Sequence, residues 1–153
     1  MRTQDFQKLL LESAISVMGC DGSIDESEIH EIKQMAENEI YFMGYDYEPV
    51  FESHLKYLKD NGSTAINEYL KRLQDVSLNK QQEFLLLEVL IRTIESDQVI
   101  DDNEVKFLQL VKSKLNVSEE EIITKFPKQI TYLIDFKNYS KLESFNSNIN
   151  FKE

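Results

Sequence analysis

Two sets of carboxylates carry the chemistry that this chain could do. Asp21, Asp25 and Glu28 stand in CDGSIDESE, and Asp97, Asp101 and Glu104 stand in SDQVIDDNE, 76 residues further on. Each set reads D-x3-D-x2-E. Clustered carboxylate oxygens are hard donors that suit a divalent cation such as calcium or magnesium. The same cluster also suits a lysine or arginine of a protein partner. A twelve-residue calcium loop of the helix–loop–helix kind is excluded, because it needs Gly at its sixth place and Glu at its twelfth. Counted from Asp21 those places hold Glu26 and Ile32, and counted from Asp97 they hold Asp102 and Leu108, with Val99 where a ligand belongs. A looser oxygen site built from the six acids remains.

Helix capping explains most of the same residues. Asp25 is a good N-cap, Glu28 falls at the third helical position, and Ile24 with Ile29 has the spacing of a hydrophobic staple. Ile100, Asp101, Glu104 and Val105 repeat this pattern. Glu26 and Asp102 suit the positive end of a helix dipole. Asp21 and Asp97 fit less well, since they fall at the C-terminal ends of the preceding helices, where a negative charge opposes the dipole. An Asx turn, a bound cation or a basic partner residue would each offset that. Glu88 is the other exception. It interrupts the apolar run Phe84–Ile91, and Arg92, one turn on, is its simplest partner. Its counterpart Glu12 has Ser16 at that place.

Other chemistry is sparse. His30 and His54 are the only histidines, both expected on solvent-facing sides of helices, and two separated histidines do not make a zinc site. Cys20 is the only cysteine, which excludes an intrachain disulfide, and the neighbouring Asp21 charge makes its thiol a poor nucleophile. There is no glycine-rich phosphate loop and no nucleophile elbow. An enzyme would have to work with carboxylates alone, for instance Glu12 and Glu88 holding a metal between two helices, so a non-enzymatic protein is expected.

The elements that position the acids follow from an internal repeat. Leu11–Ile32 and Leu87–Leu108 align at the same offset, with Leu11/Leu87, Glu12/Glu88, Ile15/Ile91, Ile24/Ile100 and the six acids matched. Each copy reads as helix, acidic turn, helix. Apolar residues at helical spacing predict a first helix through Met18 and a second from about Glu26 toward Ile40. A third follows Asp46 with Pro49 in its first turn and stops at Asn61-Gly62. A fourth opens at Ser63 or Thr64. The fifth, from about Asn79 to Glu95, is apolar nearly all round and is expected at the centre of the bundle. A sixth runs from about Asp102 to Leu115. A seventh starts after Ser118, with Glu121 completing a capping box, and Pro127 stops it. The expected fold is thus all-α: a single bundle of about seven helices built on two repeats, with a C-terminal tail. Residues 1–126 form the helical domain, and 127–153 pack on it or bind a partner. Within the tail Ile130, Tyr132, Ile134 and Phe136 alternate like a strand. Tyr41, Phe42, Tyr45, Tyr47 and Phe51, between the repeats, read as packing aromatics, with a partner surface as the alternative.

Charge narrows the partners. The 153 residues carry a net charge of -11, and residues 1–126 hold 25 acidic against 13 basic side chains. Nucleic acid, whose phosphates would be repelled, is therefore not an expected partner. The N-terminus lacks the features of a signal peptide and no stretch has the length of a membrane span, so a cytoplasmic location without membrane insertion is expected.

The paired turns, DGSIDESE after an alanine-containing helix and SDQVIDDNE after LLLEVLIR, resemble the tellurite-resistance TerB family over about residues 5–125. The chain departs from the family pattern at Gln98, where the family usually has glycine. The resemblance implies a bundle of about seven helices and a non-enzymatic role in bacterial stress response, in the context of tellurite or phage resistance. It also implies association with metal-linked systems and membrane-associated protein complexes. Carried over by position, the acidic set is Asp21, Asp25, Glu28, Asp97, Asp101 and Glu104, with Glu12 and Glu88 as second candidates. The expected function is an interaction module whose acidic surface takes a cation or a basic or membrane-associated protein. The alternative is an immunity or accessory protein of a toxin or anti-phage defence system, since a small acidic protein suits neutralisation of a basic toxin.

Overall fold

The computed structural model describes residues 2–22, 24–96 and 100–134, and of Asp21 only the backbone. The expectations for Asp97 and for the tail beyond Ile134 lie outside the described residues. Within them the chain forms eight α-helices and no strand. These are α1 (Thr3–Met18), α2 (Glu26–Asn38), α3 (Glu48–Asn61), α4 (Ser63–Gln74), α5 (Lys80–Glu95), α6 (Asp102–Lys112), α7 (Glu119–Lys125) and the single-turn α8 (Ile130–Leu133).

Local capping sets most of the boundaries. Asn79 and Gln82, Asp101 and Glu104, and Ser118 and Glu121 each form a complete capping box, at α5, α6 and α7. Asp25 caps α2 through the Ser27 N–H, 2.8 Å away. Pro49 lies in the first turn of α3, where its missing N–H leaves no helix bond unmade. Gly62, at φ 55° and ψ -127°, ends α3 and starts α4 with no residue between. Its N–H bonds to Leu58 O at 2.8 Å, and its carbonyl accepts from Ala65 N at 3.1 Å. Only glycine takes this backbone conformation without strain.

The centre of the bundle is α1 packed against α5. α1 also touches α2, α3, α4 and α6, so it is enclosed at least as fully as α5. Its polar residues do not prevent this. Ser13 Oγ donates to Leu9 O at 2.6 Å, one turn back, and also meets the Tyr69 hydroxyl. Gln7 Nε2 donates to the carbonyls of Tyr41 and Met43, at 3.2 and 3.1 Å. This pins the connection between α2 and α3. In that connection Phe42 and Tyr47 are buried, as is Phe51 on α3, while Tyr41 and Tyr45 pack against the core from outside. The aromatic stretch is therefore mainly packing. Ile40 and Met43 beside it are 77% and 72% exposed.

After Pro127 the backbone does not take up the strand suggested by alternation. A 3-10 turn over Pro127–Gln129 leads into α8, with Tyr132 and Leu133 buried. Long side chains of α6 hold it there. Gln109 Nε2 donates to the carbonyls of Tyr132 and Leu133, the latter at 2.6 Å, and Lys112 Nζ donates to Leu133 O at 2.7 Å. The terminal carbonyls of a short helix are thus satisfied from another element, which local periodicity does not encode.

Candidate functional site

The acidic turns come first. α1 ends in a 3-10 turn over Gly19–Asp21, and Gly22 then adopts the left-handed conformation (φ 81°), returning its N–H to Gly19 O at 3.1 Å. This turn packs against α6, the helix capped by Asp101. Asp25 keeps its carboxylate at the surface. Its bonds from the Ser27 hydroxyl and N–H hold its pKa below the usual carboxylate value. Asp101 accepts from Asn103 N at 2.8 Å, and Glu104 Oε1 accepts from Asp101 N at 3.2 Å. Glu28 and Glu104 are only 1% and 2% exposed, and the Oε2 atom of each is sealed from solvent. Ile24 packs against the core, while Ile100 is 42% exposed, so the staple is better developed in the first copy.

Among the described residues no group of three or more His, Cys, Asp or Glu side chains has the arrangement of a metal site. That statement reaches only Asp25, Glu28, Asp101 and Glu104 of the six candidate ligands. The donor set is all oxygen, which fits a hard cation in preference to zinc or copper. Two of its carboxylates already cap helices.

A second cluster was not anticipated. His54 is 7% exposed, not solvent-facing, because it shares a face of α3 with Phe51 and Leu58. Its Nδ1 lies 3.6 Å from Glu12 Oε2 on α1, and its Nε2 lies 3.4 Å from Ser16 Oγ, one helical turn further along. Arg72 of α4 approaches the same Glu12 oxygen at 3.7 Å. Burial, then the charges of Arg72 and Lys8, push the His54 pKa down to about 4. Burial raises that of Glu12, against the pull of Arg72 and Lys8. The order carboxylate, imidazole, hydroxyl is that of a nucleophilic triad. However, Ser16 is sealed in the last turn of α1, where the backbone N–H groups needed for an oxyanion hole are held in helix bonds. The cluster opens instead on a cavity of about 490 Å3 lined by Lys8, Glu12, Val50, His54, Tyr57 and Arg72.

Glu88 and Arg92 also differ from expectation. Glu88 is half-buried, at the edge of the apolar surface of α5. Arg92 reaches across to α2 and the segment after it. One terminal nitrogen lies 2.8 Å from Glu31 Oε1, and the other 2.8 Å from Glu39 Oε1 and 3.3 Å from the Tyr41 hydroxyl. The sequential neighbour loses to two acids that the fold delivers. Glu12 and Glu88 thus serve different surroundings, one beside His54 and the other beside Tyr41. Cys20 is buried, with its Sγ 3.2 Å from Ser16 O.

Among the described residues no helix is long and apolar enough to cross a membrane. A family model described as tellurite resistance protein TerB matches residues 9–125, from the second turn of α1 to the end of α7. No curated protein and no solved structure matches the chain.

Proposed function

Starting from a chain that belongs to the TerB family, we propose that it is a non-enzymatic interaction module of bacterial stress response. Its acidic surface takes a divalent cation or a basic protein partner in the cytoplasm. The observation that carries this reading is the charge of residues 1–126, with 25 acidic against 13 basic side chains. Surface clefts of one sign concentrate the opposite sign. The capped turns hold four of the acids on rigid helix starts. Asp21, Asp25, Glu28, Asp97, Asp101 and Glu104 are the residues that would hold it, and the ion would supply charge neutralisation and a fixed turn. The non-enzymatic part draws support from the sealed positions of Ser16 and Cys20.

The test is thermal unfolding with calcium, magnesium, manganese or zinc added in turn, repeated on Asp25→Asn and Asp101→Asn. A saturable rise in melting temperature that these variants weaken supports the cation form. Equal melting with every metal removes it. Affinity capture from the native host then tests the protein-partner form, comparing the full chain with one ending at Ile134. A basic protein retained at low salt and released at high salt supports it. No such protein removes it.

A further inference from the structure

The hollow between α1, α3 and α4 runs against the charge of the rest of the chain. Lys8 and Arg72 stand in its wall, and among the described residues Glu12 is its one carboxylate. Glu68 lies nearby but outside the lining, where it accepts the Tyr57 hydroxyl. His54 adds no charge at neutral pH, since burial holds its imidazole neutral. The described lining residues therefore carry a net positive charge on a protein whose net charge is -11. Arg72 is about half exposed and touches Glu12 through one terminal nitrogen at 3.7 Å, too long for a hydrogen bond, so this contact does not use up its five N–H donors. Pro49 and Val50 give the same hollow an apolar wall. Its volume, about 490 Å3, is in the range of small-molecule sites.

We propose that this hollow binds a small organic oxyanion, its carboxylate or phosphoryl group on Arg72 and Lys8 and its apolar body against Pro49 and Val50. Guanidinium pairs with both groups through parallel N–H bonds. Glu12, also in the lining, lies 3.6 Å from His54 and 3.7 Å from Arg72. Ligand sign and location both differ from those of the acidic turns, so failure here and failure of the cation reading are separable.

The experiment is a proton–nitrogen NMR titration of the full chain at fixed ionic strength with benzoate, phenyl phosphate and benzyl alcohol. Saturable shifts confined to amides around Lys8, His54 and Arg72, with either anion and not with the alcohol, support the proposal. Which anion binds tells carboxylate from phosphoryl ligands. Arg72→Ala should weaken binding about tenfold or more, and Lys8→Ala severalfold. Lys56→Ala, which removes a solvent-exposed pair with Asp60 on α3, should leave it unchanged. The proposal falls if neither anion saturates by about 10 mM, if benzyl alcohol binds as well, or if neither Arg72→Ala nor Lys8→Ala weakens binding in a protein whose spectrum is otherwise intact.

Discussion

The Glu83 carboxylate grips the backbone at Asn116: Oε1 accepts the Asn116 N–H at 2.8 Å, and Oε2 accepts the Asn116 side-chain amide at 3.3 Å. The same Oε1 also takes the Val117 N–H at 2.9 Å. A buried side chain of α5 thereby fixes the link between α6 and α7. Glu83→Ala removes the acceptor of these part-buried donors and should cost about 1–2 kcal/mol of stability. Glu83→Gln, which keeps one acceptor, should cost less. Urea unfolding of the two variants beside wild type measures both, and equal midpoints for all three would remove this role.

Arg92 joins α5 to Glu31 and Glu39 with a geometry that lysine cannot copy. Arg92→Lys should lose about 1 kcal/mol or less, because the pair is about a third exposed and screened by water. The loss should shrink as salt rises. A double-mutant cycle with Glu31→Gln reads the coupling, and a coupling of zero at low salt contradicts the geometry.

His54 makes stability depend on pH. Its folded pKa of about 4 lies below its ordinary value of 6.5, so the unfolded chain binds the proton more tightly. Its contribution is full above about pH 6.5 and is lost as pH falls toward 4, up to roughly 3 kcal/mol. Glu12 acts oppositely: its raised pKa favours the folded state below 4.5, and that preference is lost as pH rises through the folded pKa. Stability between pH 6.5 and 4.5 should therefore fall in the wild type and flatten in His54→Gln. Denaturant melts across that range, with the imidazole resonances followed by NMR, provide the check. His54 itself titrating near 6.5 in the folded protein would contradict it.

The two acidic caps should differ in strength. Asp101 works within a complete box with Glu104, while Asp25 bonds Ser27 at a more exposed turn. Asp101→Ala should cost about 1–2 kcal/mol and Asp25→Ala about 1 kcal/mol or less. If a cation binds these turns, both costs grow when it is present. Melts with and without the metal show whether they do.

The helices were legible because their ends are written locally. Asp101 with Glu104, Ser118 with Glu121, and Pro49 need only neighbours within one turn. What could not be read depends on partners far along the chain. Ile130, Tyr132 and Ile134 alternate like a strand in sequence, yet Ile130–Leu133 is helical, with Gln109 and Lys112 serving its carbonyls. Arg92 has Glu88 one turn away but bonds acids more than fifty residues distant. His54 does fall on the Phe51–Leu58 stripe, a signal that it is buried, but nothing in its own helix announces Glu12 or Arg72. The acidic turns were found by their spacing, and the hollow was missed because three separate helices make it.

Gly62 has a mechanical consequence. It is the only residue between the helix that carries His54 and the helix that carries Arg72. Any widening of the hollow by swinging α4 away from α3 must pass through the torsions of this one residue. A β-carbon-bearing residue there would do more than strain a turn: driven out of this conformation, it would reset the angle between the two helices.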